Sequence, residues 1–146
     1  MILYVPRWEI RRQTGQIIQT SSFLLCLLSD VWKRELCGYF HEKDTKQIVL
    51  CDVEPATFAM LLHLACCTPP AVVPSFSDLV DLALLADRFA LDPLRVVLEK
   101  EAVRRLTLED CPAILDLHAA TASGLSCLPQ AAVNLACDRF EVWHRM

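Results

Sequence analysis

At 146 residues with a net charge of −4, the chain is long enough for one folded core and lacks the basic stripe that nucleic-acid binding requires. Its 54% apolar residues exceed the usual share, and the excess is carried by Leu, Ala, Val and Cys. The longest apolar run, Phe23 to Leu28, is too short to span a membrane, and no secretory signal pattern precedes it. We therefore expect a cytosolic or nuclear protein that buries apolar surface against a partner.

The eight cysteines are expected to be reduced thiols, because the core is large enough to fold without disulfides. Five lie in or beside apolar runs and are predicted to pack as small hydrophobic side chains: Cys26, Cys51, Cys66, Cys111 and Cys137. A metal site on His63, Cys66 and Cys67 would lack a second ligand pair at zinc-like spacing. The sequence therefore predicts no metal and no cofactor.

The N-terminal part of the chain predicts a β-hairpin and two short helices. The runs "WEIRR" and "IIQTS" suit strands, and Gly15 between them suits a tight turn. Ser21 or Ser22 is the predicted N-cap of a brief apolar helix. Apolar and aromatic residues recur near helical spacing from Val31 to Phe40 and predict a second helix, which Gly38 weakens towards its end. The run "QIVLC" then predicts a buried strand.

The next helix is predicted to be capped by Asp52, with Glu54 and Pro55 in its first turn, and to run through "ATFAMLLHLACC". Thr68 and the two prolines after it end this helix, and "AVV" predicts one more short strand.

Four further helices follow, beginning with one capped by Ser75 or Ser77. Asp92-Pro93 opens the second, and Thr107 with Asp110 resembles a capping box for the third. Gly124 precedes the last, which extends towards Phe140. The first is predicted to bury Leu79, Leu82, Ala83, Ala86 and Phe89, and the second Leu94, Val97, Leu98 and Ala102.

A shift of 34 residues relates these four helices as two pairs. It superposes Ala86 on Ala120, Leu91 on Leu125, Leu94 on Leu128, Ala102 on Ala136 and Leu106 on Phe140. The match predicts two stacked helical hairpins, although two unrelated amphipathic hairpins would also superpose.

Two segments carry a family resemblance: "SDVWKRELCGYFHEKDTKQIVLCDVEPATFAMLLHLACCT" and "LVDLALLADRFALDPLRVVLEKEAVRRLT". They resemble the BTB (POZ) fold, and most of all the plant MATH-BTB and speckle-type POZ proteins. The resemblance as a whole runs from about Trp8 to Phe140. The resemblance implies an α+β class that is predominantly helical, with a small mixed β-sheet capped by α-helical hairpins. It also implies a BTB/POZ domain over 1–106 and a C-terminal helical extension over 107–146, which widens the docking surface in cullin adaptors.

The function implied by this resemblance is protein–protein interaction. BTB domains of this kind pair as dimers and dock a cullin scaffold, so that a substrate meets a ubiquitin ligase. The family's φ-x-Glu turn, part of that docking surface, falls on Phe40, His41 and Glu42, our candidate cullin-binding residues. An aromatic ring that inserts into a partner's groove contributes about 1.5–3 kcal/mol.

The chain departs from the family pattern at several places. Only "MILYVP" precedes the first strand, so we expect the N-terminal dimerisation helix to be absent or vestigial. The family's "AH" and "AARS" are replaced by Thr20-Ser21 and "CLLS", and its Tyr-Thr-Gly corner by Cys66-Cys67-Thr68. We likewise expect neither a MATH domain before the BTB-like region nor a kelch propeller after it.

Two other functions are alternatives to that of a cullin adaptor. The chain would act as a competitor or transcription-related scaffold if it pairs with itself or with full-length BTB relatives without binding a cullin. A cysteine-dependent enzyme would need an activated thiolate, but Cys111 and His118 lie about 10 Å apart along one predicted helix. We therefore expect no enzyme, no catalytic residues and no small-molecule substrate.

Overall fold

The computed structural model describes residues 7–12, 17–38, 47–50, 53–70, 72–121 and 124–145. Three strands are present in these ranges: β1 (Arg7–Arg12), β2 (Ile17–Ser21) and β3 (Gln47–Leu50). Seven helices accompany them: α1 (Ser22–Leu28), α2 (Asp30–Cys37), α3 (Pro55–Ala65), α4 (Phe76–Arg88), α5 (Asp92–Arg105), α6 (Cys111–Ala120) and α7 (Cys127–His144). The described chain is therefore predominantly helical, with a small β component.

The chain divides into two compact units. The first comprises Met1–Ala71 with Arg88–Leu91, and the second comprises Val72–Asp87 with Asp92–Met146. The predicted domain boundary between residues 106 and 107 stays a prediction.

The sheet of the first unit is mixed, with strand order β2-β1-β3. β1 and β2 pair antiparallel, so the predicted hairpin is confirmed, while its turn lies outside the described residues. β1 and β3 pair parallel, with Ile10 opposite Ile48. Because side chains alternate along a strand, the buried Ile48 and Leu50 share one face, which contributes to the core of this unit.

Two serines cap the two helices that follow β2. Ser21 Oγ accepts a hydrogen bond from Leu24 N at 3.5 Å, so Ser21 is the N-cap of α1. Ser29 lies between α1 and α2, where it is buried. Its Oγ accepts from Trp32 N at 3.3 Å and donates to the Phe89 carbonyl at 2.5 Å. A buried hydroxyl that makes both bonds holds the start of α2 against residue 89.

Three aromatic rings form the core of the first unit. Trp32 lies 5.9 Å from Phe58 and 4.9 Å from Phe89, and Phe58 lies 5.9 Å from Phe89, measured between ring centroids. All three are almost fully buried. Edge-to-face and tilted pairs of this kind each add about 0.5–1.5 kcal/mol beyond the burial of their surface.

Helix α3 is shorter at both ends than the sequence predicted. Glu54 is its N-cap, with φ −70° and ψ 128°, because the residue before a proline is excluded from the α region. The proposed cap, Asp52, lies outside the described residues. The helix ends at Ala65, where Cys67 adopts φ 56° and Thr68 N donates to the His63 carbonyl at 2.8 Å. This Schellman-type ending precedes the prolines that were expected to stop the helix.

The predicted strand at "AVV" is wrong for its two described residues. Val72 and Val73 have no strand partner and are 68% and 75% exposed. Pro70 and Pro74 flank them and cannot donate the hydrogen bonds that a sheet needs.

The second unit contains the four remaining helices, and α7 packs against both α5 and α6. Ser75 caps α4, because its Oγ accepts from Asp78 N at 3.2 Å while Asp78 Oδ2 accepts from Ser75 N at 2.9 Å. The predicted buried face of α4 is confirmed, and Phe89 is buried just beyond its end.

Two details of these helices differ from prediction. On α5, Val97 is 63% exposed and Glu99 is 2% exposed. Leu98 and Ala102 are buried as predicted and Leu94 is half-buried, but Glu99 is buried where Val97 was expected, because an ion pair with Arg95 allows a carboxylate to be buried. Helix α6 begins at Cys111, since Asp110 Oδ2 bonds Thr107 N at 3.0 Å across a separate turn before the helix.

The cysteines are less buried than the sequence predicted. Cys111 is buried and Cys26 is half-buried, but Cys66 and Cys137 are exposed. Cys66 lies in the turn after α3 and Cys137 on the solvent side of α7, where an apolar run in the sequence is not a buried face. Cys51 lies outside the described residues.

Candidate protein-interaction surface

A buried carboxylate positions the C-terminal helix. Glu99 Oε1 on α5 accepts hydrogen bonds from Cys127 N at 2.6 Å and Leu128 N at 2.9 Å. These are free backbone donors of the first turn of α7, where the helix dipole also favours a negative charge. Arg95 Nη1 lies 3.6 Å from Glu99 Oε2 and balances its charge. Glu99 therefore acts as a cap supplied by another helix.

The loop before α7 is fixed by the same group of side chains. Arg95 Nη1 donates to the Gly124 carbonyl at 3.1 Å, and Asp87 Oδ2 accepts from Gly124 N at 2.8 Å. A Cβ atom at position 124 would lie 2.2 Å from Asp87 Oδ1. Any larger residue would have to displace the Asp87 carboxylate, so glycine permits this close approach. Both the backbone N–H and the carbonyl of Gly124 are thus hydrogen-bonded by side chains.

The helices held in this way border an open groove, which we call the α6–α7 groove. Its lining is mainly apolar: Leu115, His118, Gly124, Leu125, Ser126, Pro129, Gln130 and Val133. Ile114 and Leu128 are buried behind it. An apolar groove with a few polar side chains at its edge is typical of a site that accepts an apolar segment of another protein.

An exposed row of side chains on α7 continues from the groove. Val133, Cys137 and Phe140 recur at helical spacing and form what we call the α7 stripe. Val133 is 39% exposed and Phe140 is 66% exposed. The Phe140 ring also packs edge-on against His144 at 4.7 Å between centroids. The groove and the stripe thus form one extended apolar feature on the second unit.

A second exposed apolar pair lies on the first unit. Phe23 and Leu27 are four residues apart on α1 and are 65% and 67% exposed. Side chains at this spacing are neighbours on one helix face. The pair is therefore a candidate contact surface for another protein.

The predicted cullin-binding residues Phe40, His41 and Glu42 lie outside the described residues, as does the rest of 39–46. Helix α2 ends just before this segment, with Gly38 as its C-cap. The corner that replaces the family tyrosine is described, and Cys66, Cys67 and Thr68 are all exposed there. The assignment of Phe40, His41 and Glu42 therefore stays a prediction.

The environment of Cys111 is unlike that of a reactive thiolate. Burial, together with the nearby Asp110 charge, raises the pKa of the Cys111 thiol. The thiol donates to the Thr107 carbonyl at 3.4 Å, whereas His118 is exposed. An activated cysteine needs the opposite surroundings, namely positive charge and access. In the described ranges, no three His, Cys, Asp or Glu side chains are grouped closely enough to hold a metal ion.

Sequence reasoning missed both the Glu99 contact and the α7 stripe. The seven-residue spacing of Val133 and Phe140 is a usable sequence signal for the stripe, since it places both on one helix face. Glu99 gives no such signal, because its partners are backbone groups 28 and 29 residues away.

Comparisons with protein-family models and with curated proteins found no match for this chain. No helix in the described part of the chain is both long and apolar enough to cross a bilayer.

Proposed function

We propose that this chain is a BTB-type protein-interaction module that docks a cullin scaffold of a ubiquitin ligase and pairs with itself or with other BTB proteins. Its action consists of binding, with no catalytic step of its own.

The order of elements supports the proposal. A strand hairpin, two short helices, a strand, a helix and two helical pairs follow one another in the order that the resemblance implies. The small sheet is mixed, as expected for that fold. Because one fold can carry many functions, the function of this chain follows from its surface.

The observation that favours docking most is the α6–α7 groove with the α7 stripe beside it. The helical extension of cullin adaptors is expected to widen the docking surface, and the groove lies within the predicted extension. Glu99 and Arg95 hold the groove helices in place, so an incoming segment meets a preformed surface.

The first experiment measures binding of the purified chain to a cullin N-terminal fragment. Phe40→Ala and Glu42→Lys should each weaken binding at least tenfold, because they remove the predicted ring and carboxylate. Lys100→Glu, an exposed charge reversal on α5, serves as the control. Binding that is unchanged in both site variants would refute the φ-x-Glu assignment.

The second experiment tests the groove by itself. Val133→Asp places a charge at the groove and should weaken cullin binding, because that charge would lose water in the complex. Asn134→Asp is the matched control: it adds the same charge one residue along on an exposed position and keeps an acceptor for Gln130 Nε2. Equal binding by the two variants would place the cullin contact elsewhere.

The competitor function is favoured by the exposed Phe23 and Leu27 on α1. If this pair is the self-association surface, Leu27→Asp should shift a dimer to a monomer in light scattering, whereas Val72→Asp, in an exposed loop, should not. A chain that pairs with itself or with a longer BTB protein but binds no cullin fragment would support the competitor over the adaptor.

A further inference from the structure

Two thiols from neighbouring helices of the first unit lie side by side. Cys26 is on α1 and Cys37 is the last residue of α2, and their Sγ atoms are 3.8 Å apart. A disulfide joins sulfur atoms about 2.05 Å apart, so the two Sγ atoms would have to close by about 1.8 Å. A small shift of the two side chains would thus bring the Sγ atoms to disulfide-bonding distance.

The two cysteines differ in their access to solvent. Cys37 is exposed, whereas Cys26 is half-buried. Cys37 also borders a shallow depression that is lined by Asp30, Lys33, Arg34 and Gly38. A small oxidant can therefore reach Cys37 without any opening of the fold.

The difference in exposure gives the two thiols different roles. Burial, and then the hydrogen bond with Cys37, raises the pKa of the Cys26 thiol, while the nearby Lys33 charge opposes that rise. Cys26, the less exposed of the two, therefore suits the second, resolving position. Redox-sensitive cysteines are typically accessible and placed next to such a resolving thiol.

We propose that Cys26 and Cys37 form an oxidisable dithiol site that hydrogen peroxide converts to an intramolecular disulfide between α1 and α2. This inference is independent of the proposed function.

The reaction balances in two steps. The Cys37 sulfur attacks one peroxide oxygen, the O–O bond breaks, and Cys37 sulfenic acid and one water molecule form. The Cys26 sulfur then attacks the Cys37 sulfur, the S–O bond breaks, and the hydroxyl leaves as a second water molecule with the proton from Cys26. Two thiols are oxidised by two electrons and one peroxide is reduced.

Three of the other described cysteines are less suited to an internal disulfide. Cys111 is buried, and its thiol donates to the Thr107 carbonyl. Cys66 and Cys67 are adjacent in sequence, where a disulfide would be strained. The geometry therefore points to Cys26 and Cys37 as the first pair to react.

The test treats the full chain with stoichiometric hydrogen peroxide, blocks the remaining thiols with an alkylating agent, and maps the disulfides by peptide mass spectrometry without reduction. We expect the loss of two thiols, a mass lower by two hydrogen atoms before alkylation, and a linked peptide pair containing Cys26 and Cys37. Dithiothreitol should restore both thiols.

Cys37→Ser and Cys26→Ser should each abolish this link, and Cys37→Ser should also slow the first oxidation at least tenfold. Cys137→Ser, which removes an exposed cysteine from α7, should leave the link unchanged. Peptide maps of the wild-type chain in which Cys26 and Cys37 stay reduced, or in which other cysteines are linked first, would overturn the proposal regardless of how the variants fold.

Discussion

At the scale of single residues, the second unit depends on one buried carboxylate. Glu99 accepts two backbone hydrogen bonds from α7 and lies beside Arg95. Its ionised form needs all of these partners, because a charge removed from water is costly unless it is paired and hydrogen-bonded.

Glu99→Ala should destabilise the protein by about 3 kcal/mol, because the first-turn N–H groups of Cys127 and Leu128 lose their acceptor and Arg95 loses one of its carboxylate neighbours. Urea unfolding followed by circular dichroism measures this change. Lys100→Ala, the exposed neighbour, should change stability by less than about 0.5 kcal/mol. Equal stability of the two variants would show that the Glu99 contacts contribute nothing.

A surface carboxylate on the same helix contributes to the acid response. Hydrogen bonds from Arg104 and then from Arg105 lower the pKa of Glu101 from 4.5 to about 2. Because the folded pKa lies below the unfolded value, its stabilising effect is complete above pH 4.5 and disappears as the pH falls towards about 2.

Glu101→Gln should therefore reduce the loss of stability between pH 5 and pH 2, while it lowers stability at neutral pH. Thermal melting at a series of pH values tests this, with Glu109→Gln, an exposed acid in the turn before α6, as the control. If the melting temperature of Glu101→Gln fell with pH in parallel with that of the wild-type chain, Glu101 would not contribute to the acid response.

At the scale of elements, two helix ends use residues other than glycine in the left-handed region. Cys67 has φ 56° after α3 and Ala90 has φ 54° after α4. A side chain with a Cβ atom costs about 1 kcal/mol there, whereas glycine adopts this conformation freely.

Ala90→Gly should accordingly raise the free energy of unfolding, by up to about 1 kcal/mol. Ala113→Gly, on an exposed position inside α6, should lower it by about 1 kcal/mol, because glycine is a poor helix former. The same alanine-to-glycine substitution should thus change the free energy of unfolding in opposite directions at the two sites. The midpoints of denaturant unfolding of the two variants measure this difference. A loss of stability in both variants would refute the explanation that Ala90 is strained in the left-handed region.

At the scale of the whole molecule, residues distant in sequence complete the core of the first unit. Phe89 packs with Trp32 and Phe58, although it follows α4, whose residues up to Asp87 belong to the second unit. The Phe89 carbonyl also accepts the buried Ser29 hydroxyl. The folding of the first unit therefore requires a segment supplied from beyond α4.

Phe89→Ala should destabilise the protein by about 3–5 kcal/mol, since it leaves a cavity between two buried rings. Hydrogen exchange should show lost protection in α2 and α3 before α6 and α7 are affected. Phe140→Ala, which truncates a ring that is 66% exposed, should change stability by less than about 0.5 kcal/mol. Uniform loss of protection across all helices would contradict the division into two units.

The sequence by itself determined most of the described strands and helices, because these depend on local patterns. The hairpin follows from two β-compatible runs on either side of Gly15. The sequence offered Ser21 or Ser22 as the α1 cap and Ser75 or Ser77 as the α4 cap, and the structure uses the first of each. The sequence could not reach the Phe40, His41 and Glu42 assignment by the same means, and that prediction is open to the binding experiment.

Only the tertiary structure decided which faces are buried and which side chains meet. The burial of Glu99, the exposure of Val97 and the contact between Cys26 and Cys37 depend on partners that are distant along the chain. Local hydrophobicity assigns a glutamate to solvent and a valine to the core. The assignment reverses when backbone donors 28 residues away satisfy the carboxylate, since the cost of burying a charge depends on its surroundings and not on its sequence neighbours.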